Sequence, residues 1–358
     1  MYLGSHGGDV EEIARRYNLD KKNIIDFSAN INPLGISEKC KEAMINAIEN
    51  INVYPDITYF RLKESISKFE NINLNNIFLG NGAAECIFNV VRAIKPKKTL
   101  IPAPSFSEYE QAVKSVDGEI KIHLLKEKNN FNFDEDFIED ITEDIDLIFI
   151  CNPNNPTGTL TKKEFIIKVI EKAKSVNAVV IIDESFLDFV FNEDRYTLKN
   201  NICDFDSLVI IKSLTKFFAL PGIRVGYGIT SNEKLMKKIN KVSVPWNINI
   251  VAVEGSIASL LDKSYITKTK EYMENEKENL YKEIKLYNGI KVYKPSVNYI
   301  FFKIESNIDL RKVLLERNIL IRSCENYYGL DKRYYRIAVK SNSENKILVK
   351  KLKEVLDE

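Results

Sequence analysis

Residues 207–229 read SLVIIKSLTKFFALPGIRVGYGI, the stretch that decides the fold and locates the functional site. The apolar run Ser207–Ile211 predicts a buried strand that leads directly into Ser213-Leu-Thr-Lys216. A Pro-Gly pair at 221–222 predicts a turn, after which Arg224 opens a second strand. The stretch therefore presents a hydroxyl, an amine and a guanidinium to one small volume.

Short β-branched runs alternate with helical patterns on both sides of this stretch. The predicted strands are Ile77–Leu79, Thr99–Ile101, Glu119–His123, Asp146–Ile150, Ala178–Ile182, Ser207–Ile211 and Arg224–Ile229. The helical patterns between them include Ala83–Ile94, Lys162–Ser175 and Asn232–Lys241. Near-continuous apolar strands suit a sheet that is buried on both faces. The sequence thus predicts an α/β fold with a mainly parallel central sheet.

The pattern changes after about Asn249, where two long helices are followed by three short strands and a closing helix. The strands are Tyr299–Ile304, Ile319–Arg322 and Tyr335–Val339; the longer charged helix is Lys268–Leu286 and the last helix is Glu344–Leu356. We expect a large domain over residues 37–248 and a small α+β domain over residues 249–358. Residues 1–36 have too little apolar surface to fold alone, so we expect an arm that packs with the small domain.

Composition argues for an enzyme of the cytoplasm. The chain has 52 basic and 51 acidic side chains, a formal net charge of +1, which disfavours nucleic acid and membrane surfaces as partners. No apolar stretch approaches the ~18 residues of a membrane helix, and the N-terminus lacks the apolar core of a secretion signal. Five scattered cysteines without a CxxC pair predict reduced, mostly buried thiols rather than a metal site.

Lys216 stands three residues after Ser213 and eight before Arg224. An amine that forms a Schiff base needs a cofactor carbonyl beside it, and a serine and an arginine can hold the phosphate of that cofactor. A solvated lysine at a strand end is the structural alternative. Gly80-Asn-Gly-Ala-Ala-Glu85 follows a predicted strand and opens a helix, so its backbone N–H groups can cradle a phosphate. The turn lacks the P-loop and dinucleotide fingerprints.

Three further features follow predicted strands. Asp183 ends an apolar strand, where a side chain reaches the ligand crevice and could pair with a pyridine nitrogen or cap the next turn. The loop NPNNPTG, residues 152–158, is rich in turn formers, and its Asn155 could bond a phenolic oxygen. Phe106 could stack on an aromatic cofactor or belong to the core.

Two arginines and one histidine are candidates for anion binding. Arg322 and Arg336 lie inside strand patterns, where a charge is unexpected, so each could clamp an anion or form a surface ion pair. His6 stands in the glycine-flanked segment SHGGD, where nothing local requires a histidine. His123 alternates with apolar residues in EIKIHLL, which indicates a structural place on a strand face.

Taken in this order, the loop at 152–158, Asp183, Ser-Leu-Thr-Lys and Arg224 resemble the fold-type I enzymes of the aspartate aminotransferase superfamily, which use pyridoxal 5′-phosphate (PLP). The resemblance covers essentially the whole chain. It implies that Lys216 forms the Schiff base to the cofactor and, with Asp183 at the pyridine nitrogen, carries the catalysis. The other cofactor contacts it implies are a phosphate cup of Gly82, Ala83, Ala84, Ser213 and Arg224, the stacking ring of Phe106, and Asn155 at the phenolate. Tyr54 would reach the cofactor phosphate of a neighbouring subunit, which implies a homodimer.

Within that superfamily, four segments resemble the threonine-phosphate decarboxylases: HGGD at 6–9, DFSANINPLG at 26–35, VYPD at 53–56 and ILIRSCENYYGLDKRYYRIAVKS at 319–341. The implied reaction is the decarboxylation of L-threonine O-3-phosphate to (R)-1-amino-2-propanol O-2-phosphate, for the nucleotide loop of cobalamin. The residues implied around the anionic groups of the substrate are His6, Asn30, Arg322 and Arg336. Which of them meets the phosphate and which the carboxylate stays open.

The histidinol-phosphate aminotransferases resemble the chain in the same motifs but catalyse a different reaction. Three residues after the pyridine aspartate the aminotransferases carry a tyrosine, whereas this chain has Phe186. The sequence is also compatible with a decarboxylase that prefers L-serine O-phosphate, with a catalytically silent protein of this fold, and with a nucleotide-binding α/β module. The missing phosphate-loop fingerprints disfavour the nucleotide-binding module.

Overall fold

The computed structural model describes residues 7–356, which alternate helices with strands along most of their length. The strands are β1 (Ile25–Asp26), β2 (Ile77–Gly80), β3 (Lys98–Ala103), β4 (Glu119–Leu124), β5 (Leu147–Cys151), β6 (Val179–Asp183), β7 (Leu208–Ser213), β8 (Gly226–Ile229), β9 (Ile290–Val292), β10 (Tyr299–Ile304), β11 (Ile319–Leu320), β12 (Arg322–Ser323) and β13 (Tyr334–Ala338). The α-helices are α1 (Val10–Tyr17), α2 (Glu38–Ala47), α3 (Phe60–Glu70), α4 (Ala83–Ile94), α5 (Glu108–Lys114), α6 (Glu135–Glu139), α7 (Lys163–Ser175), α8 (Leu214–Phe217), α9 (Glu233–Val242), α10 (Ile250–Leu261), α11 (Lys263–Lys285), α12 (Leu310–Leu315) and α13 (Asn342–Leu356). None of these helices has both the length and the apolar character needed to cross a membrane.

The large sheet has seven strands in the order β2-β8-β7-β6-β5-β3-β4. The pairs from β7 to β4 are parallel, and β8 runs antiparallel to both of its neighbours. Every residue of β5 and β7 is buried, as expected for strands of a sheet that is covered on both faces. The predicted α/β fold with a mainly parallel sheet is confirmed. The connection from β7 to β8 holds only the single turn of α8, too short for a parallel crossover.

The small sheet is antiparallel, in the order β12-β13-β10-β9. The single predicted strand Ile319–Arg322 is wrong, because the chain changes sheets within it. Ile319 and Leu320 pair in parallel with β1, whereas Arg322 and Ser323 pair with β13. The sequence prediction also missed β9, which is short and only partly buried.

The strand predicted over Arg224–Ile229 begins two residues later in the structure than the sequence indicated. Arg224 has a left-handed backbone with φ 56°, and the strand starts at Gly226. A left-handed residue cannot continue the pleat of a strand, so the chain bends at Arg224 before it enters the sheet.

Polar caps fix where several helices begin. The side chains of Ser37, Asn232 and Asn249 accept hydrogen bonds from backbone N–H groups of the first turns of α2, α9 and α10. Helix α10 packs against α2 and α3, and β1 joins residues before 36 to β11. The division into an arm, a large domain and a small domain stays a prediction.

Candidate functional site

A cavity of about 310 Å³ opens at the carboxyl ends of β5, β6 and β7, beside the N-terminus of α4. This is the edge of a parallel sheet where side chains converge on ligands. The cavity brings together ten of the residues predicted from the sequence: Asn30, Ala83, Ala84, Phe106, Asn155, Asp183, Ser213, Lys216, Arg224 and Arg336. Their roles stay predictions, but all ten residues line one cavity.

The amine of Lys216 lies in this cavity. Burial lowers its pKa to about 8, and the positive charges of Arg224 and Arg336 act in the same direction, against the opposing charge of Asp183. An appreciable fraction of the amine is therefore neutral near pH 7, which a lysine needs in order to attack a carbonyl. The two guanidinium groups thus favour the neutral form of the Lys216 amine.

Two hydrogen bonds hold the carboxyl group of Asp183 at the end of β6. The hydroxyl of Tyr109 donates to Oδ2 at 2.7 Å, and the backbone N–H of Ser185 donates to Oδ1 at 2.9 Å. Burial raises the pKa of Asp183, and these hydrogen bonds oppose part of that rise. Sequence analysis missed Tyr109, whose only signal is its place in the first turn of α5, three residues after Phe106.

The phosphate end of the cavity is built from a glycine turn and an arginine. Gly82 has φ 86°, and a Cβ there would lie 2.5 Å from Nη2 of Arg224. A Cβ on Gly226 would lie 2.3 Å from the backbone nitrogen of Ala83, so these two glycines permit the close approach of β8 to α4. Gly82 is the N-cap of α4 and has no side chain to cap it, which leaves the first N–H groups of the helix available to an anion.

Two hydroxyl groups lie beside that turn. Ser213 Oγ is 2.8 Å from the hydroxyl oxygen of Thr215, and both residues are buried and line the cavity. Sequence analysis missed Thr215 because it weighed only the first and last residues of Ser-Leu-Thr-Lys. It also missed Ser28, Glu108 and Tyr327, which line the same cavity.

Arg336 enters the cavity from the small sheet with unused hydrogen-bonding capacity. Its Nη1 donates to Oδ1 of Asn155, and its Nη2 donates to the backbone oxygen of Ser28 at 2.8 Å. Its Nε is buried with no partner among the described residues, and so is Oδ1 of Asn30. A buried polar atom without a partner is costly, so these two atoms indicate a ligand.

Arg322 faces Arg336 across the antiparallel pair of β12 and β13. Both side chains are only 5% exposed, although like charges directly opposite each other are destabilising. Arg322 donates to Oδ1 of Asn326 at 2.7 Å and lies 5.4 Å from the ring centre of Tyr327, which lines the cavity. Arg322 is thus one layer behind the cavity wall. An anion bound here would relieve the repulsion.

Four other residues considered in the sequence analysis have different places. Phe186 lines the cavity and packs edge-on against Tyr299, with ring centres 5.1 Å apart. Tyr54 is 78% exposed and lies against Trp246, away from the cavity lining. His6 lies outside the described residues. His123 is buried on its strand, 2.6 Å from a carboxylate oxygen of Asp140, in agreement with a structural place.

A buried charge network lies behind the site. Because side chains alternate along a strand, Lys212 points away from the cavity that Ser213 lines. Its amine, 1% exposed, is 2.8 Å from Oε1 of Glu70 and 2.8 Å from Oδ1 of Asp188. Glu70 also bonds Lys199 at 2.8 Å. The network joins α3, β7 and the turn after β6, so it ties together the segments that carry Asp183 and Lys216.

The cavity fits the cofactor predicted from the sequence. One end offers a helix N-terminus, two hydroxyl groups and Arg224 for a phosphate, and the other offers Asp183 at a strand end. Phe106, Asn155 and Lys216 line the same cavity. The volume lies within the range of small-molecule sites. These donors and acceptors match the phosphate, ring and aldehyde of PLP.

Comparisons with known proteins agree with this geometry. The family model for aminotransferase class I and II matches residues 22–352. The chain is 35% identical to the threonine-phosphate decarboxylase of Salmonella typhimurium over 99% of this chain and 98% of that one. It is 33% identical to the histidinol-phosphate aminotransferase of Methanococcus aeolicus over 98% of this chain and 95% of that one. The crystal structure of the histidinol-phosphate aminotransferase from Clostridium acetobutylicum superposes with a TM-score of 0.86 at 36% identity, covering 92% of this chain and 98% of that one. The chain belongs to the class I and II aminotransferase family.

Proposed function

We propose that the protein is a PLP-dependent decarboxylase that converts L-threonine O-3-phosphate to (R)-1-amino-2-propanol O-2-phosphate for cobalamin biosynthesis. The observation that carries the proposal is the buried Arg336 guanidinium, which lines the cavity with Lys216, has Arg322 opposite it on β12, and keeps its Nε without a partner among the described residues. A buried guanidinium group in a cavity calls for a phosphate or carboxylate. The near full-length similarity to a threonine-phosphate decarboxylase supports the same substrate.

PLP, when bound, supplies a protonated pyridine ring that accepts the electron pair of a bond broken at Cα. Asp183, whose carboxyl group is held in place by Tyr109 and Ser185, would pair with the pyridine nitrogen and keep it protonated. Arg224, Ser213 and the N-terminus of α4 would hold the cofactor phosphate.

The remaining residues of the cavity decide which bond at Cα breaks. Arg336 holds the phosphate of the substrate, Arg322 adds its positive charge from behind the cavity wall, and this grip fixes the direction of the substrate carboxylate. Release of CO2 leaves Cα in need of a proton. Lys216 delivers it, since an amine with a pKa of about 8 both accepts and donates protons near neutral pH.

Phe186 separates this proposal from an aminotransferase. The side chain lines the cavity without a hydroxyl, next to the ring of Tyr299. A tyrosine at this place could bond the phenolic oxygen of the cofactor. Phenylalanine leaves Asn155 as the neutral donor there, as the resemblance to the decarboxylases implies.

A homodimer in the cytoplasm is part of the proposal. Tyr54 lies in an exposed apolar patch that includes Val53, Ile57, Val244 and Trp246. The chain next to Trp246 reaches the glycine turn, because the Asn247 side chain donates to Glu85 on α4 at 2.6 Å. A second copy that covers this patch would place its own Tyr54 near the phosphate cup.

A product assay tests the proposed reaction. Purified protein with PLP is incubated with O-phospho-L-threonine, and CO2 and aminopropanol phosphate are measured, with O-phospho-L-serine alongside. We expect CO2 release that is lost in Lys216→Ala. Transfer of the amino group from histidinol phosphate to 2-oxoglutarate, without CO2 from either phosphoamino acid, would establish the aminotransferase alternative.

A further inference from the structure

A carboxylate far from the cofactor end of the cavity joins the large sheet to the small sheet. Glu127 lies in a single helical turn, Glu127–Asn129, that follows β4 at the edge of the large sheet. The carboxylate accepts hydrogen bonds from the amines of Lys291 and Lys303, both at 2.9 Å. It also accepts them from the hydroxyls of Tyr293, at 2.9 Å, and Tyr334, at 2.6 Å.

The four donors belong to three parts of the small sheet. Lys291 lies on β9, Tyr293 follows it, Lys303 lies on β10 and Tyr334 lies on β13. The amine of Lys303 is 4.9 Å from the ring centre of Tyr334, so the donors also contact one another. Burial by itself would raise the pKa of Glu127, but hydrogen bonds from Tyr334 and the lysines hold it well below its usual range.

The turn that carries Glu127 is shaped for this contact. Phe131 has φ 58°, a left-handed backbone that is costly for a bulky side chain, by roughly 1–3 kcal/mol. Its ring is 1% exposed and meets Tyr293, Phe301 and Tyr334 edge-on, with ring centres 5.4, 5.6 and 6.1 Å away. The aromatic contacts hold the strained turn against the small sheet on one side, and the Glu127 bonds hold it on the other.

The contact lies two residues from the substrate clamp. Tyr334 and Arg336 stand two apart on β13, so their side chains leave the same face of the small sheet about 7 Å apart. Arg336 pairs in register with Phe301 on β10 and with Arg322 on β12. Any rotation of this sheet away from Glu127 would move both arginines relative to Lys216, which lies in α8 at the end of β7 in the large sheet.

We infer that Glu127 is a positioning residue that sets the distance between the arginine clamp on the small sheet and the cofactor site on the large sheet. It touches neither cofactor nor substrate. The inference rests on the proposed role of Arg322 and Arg336 in binding the substrate phosphate. It predicts that loss of the Glu127 charge weakens substrate binding and leaves cofactor binding intact, since the cofactor contacts lie on the large sheet.

The test compares Glu127→Gln with wild-type holoenzyme. We expect KM for O-phospho-L-threonine to rise about tenfold, equivalent to about 1.4 kcal/mol, with a smaller change in kcat. Borohydride labelling of Lys216, which reports cofactor binding, should not change. Glu127→Asp, which keeps the charge, should recover part of the loss. Glu135→Gln, at an exposed pair with Lys168, is the matched control and should behave as wild type.

Hydrogen exchange separates this inference from the proposed function. In Glu127→Gln we expect faster exchange at Tyr334–Ala338 and Tyr299–Ile304 than in wild type, with β6 and β7 unchanged. If wild type does not release CO2, the proposed function fails. The exchange experiment still tests whether Glu127 holds the small sheet in place. An unchanged KM together with unchanged exchange would overturn the inference, and so would an equal loss of cofactor binding and substrate binding.

Discussion

Replacement of Lys212 by methionine tests the buried network behind the site. The amine has two carboxylate partners at 2.8 Å, and its loss affects them unequally. Glu70 keeps Lys199, whereas Asp188 is left buried without a cation beside it. Removal of one partner of a buried pair costs roughly 3–5 kcal/mol, and we expect about 4 kcal/mol off the free energy of unfolding. Urea denaturation of the holoenzyme, followed by far-UV circular dichroism, measures it.

The matched variants identify the cause of that loss. Lys212→Met combined with Asp188→Asn removes one charge of each sign, so the double variant should regain at least half of the lost stability. Lys168→Met removes an exposed lysine and should change the free energy of unfolding by less than ~0.5 kcal/mol. A double variant no more stable than the single one, or a loss below ~1 kcal/mol in Lys212→Met, would refute the reasoning.

Three further predictions concern titration and the cavity wall. Burial raises the pKa of Glu184 from 4.5 to about 8. This group therefore stabilises the protein less as pH rises from its unfolded pKa to its folded pKa. Glu184→Gln should therefore gain stability relative to wild type from about pH 5 to about pH 8, as read from thermal unfolding midpoints. The rate of PLP incorporation into cofactor-free protein should rise with pH through about 8, where the Lys216 amine loses its proton, and the midpoint should move upward in Arg336→Gln, which lacks one of the charges that lower this pKa. Phe186→Tyr should shift the pH dependence of the cofactor absorbance while CO2 remains the product; a switch to amino transfer would show that this one residue selects the reaction.

Much of the site was predictable because its residues follow strands. Asp183 comes directly after an apolar run, Asn155 and Lys216 follow one by a few residues, and the carboxyl ends of parallel strands meet at one edge of a sheet. Local pattern alone places such residues together. The glycine turn was predictable for the same reason, since it separates β2 from α4.

The residues missed are those whose roles depend on the packing of distant segments. Tyr109 reaches Asp183 from 74 residues away, and Ser28 meets Arg336 from 308 residues away, so no local pattern marks either of them. The break between β11 and β12 escaped prediction because Ile319–Arg322 has the pattern of one strand, whereas its two halves pair with different partners. The sequence prediction included Arg224 in a strand because nothing about an arginine side chain signals the positive φ angle that keeps the residue out of the strand.

The hydrogen bond from Arg336 to Asn155 has a consequence for how this scaffold can change its reaction. An amide side chain has an accepting end and a donating end, and Arg336 occupies the accepting end. The Nδ2 end is the one left to donate, so in the proposed function a residue of the small sheet sets which end of Asn155 can bond the cofactor. A substitution that alters the grip on the substrate at position 336 will also release the amide to flip. In the proposed function, substrate preference and cofactor electronics therefore depend on the same pair of residues, and a redesign of one must include the other.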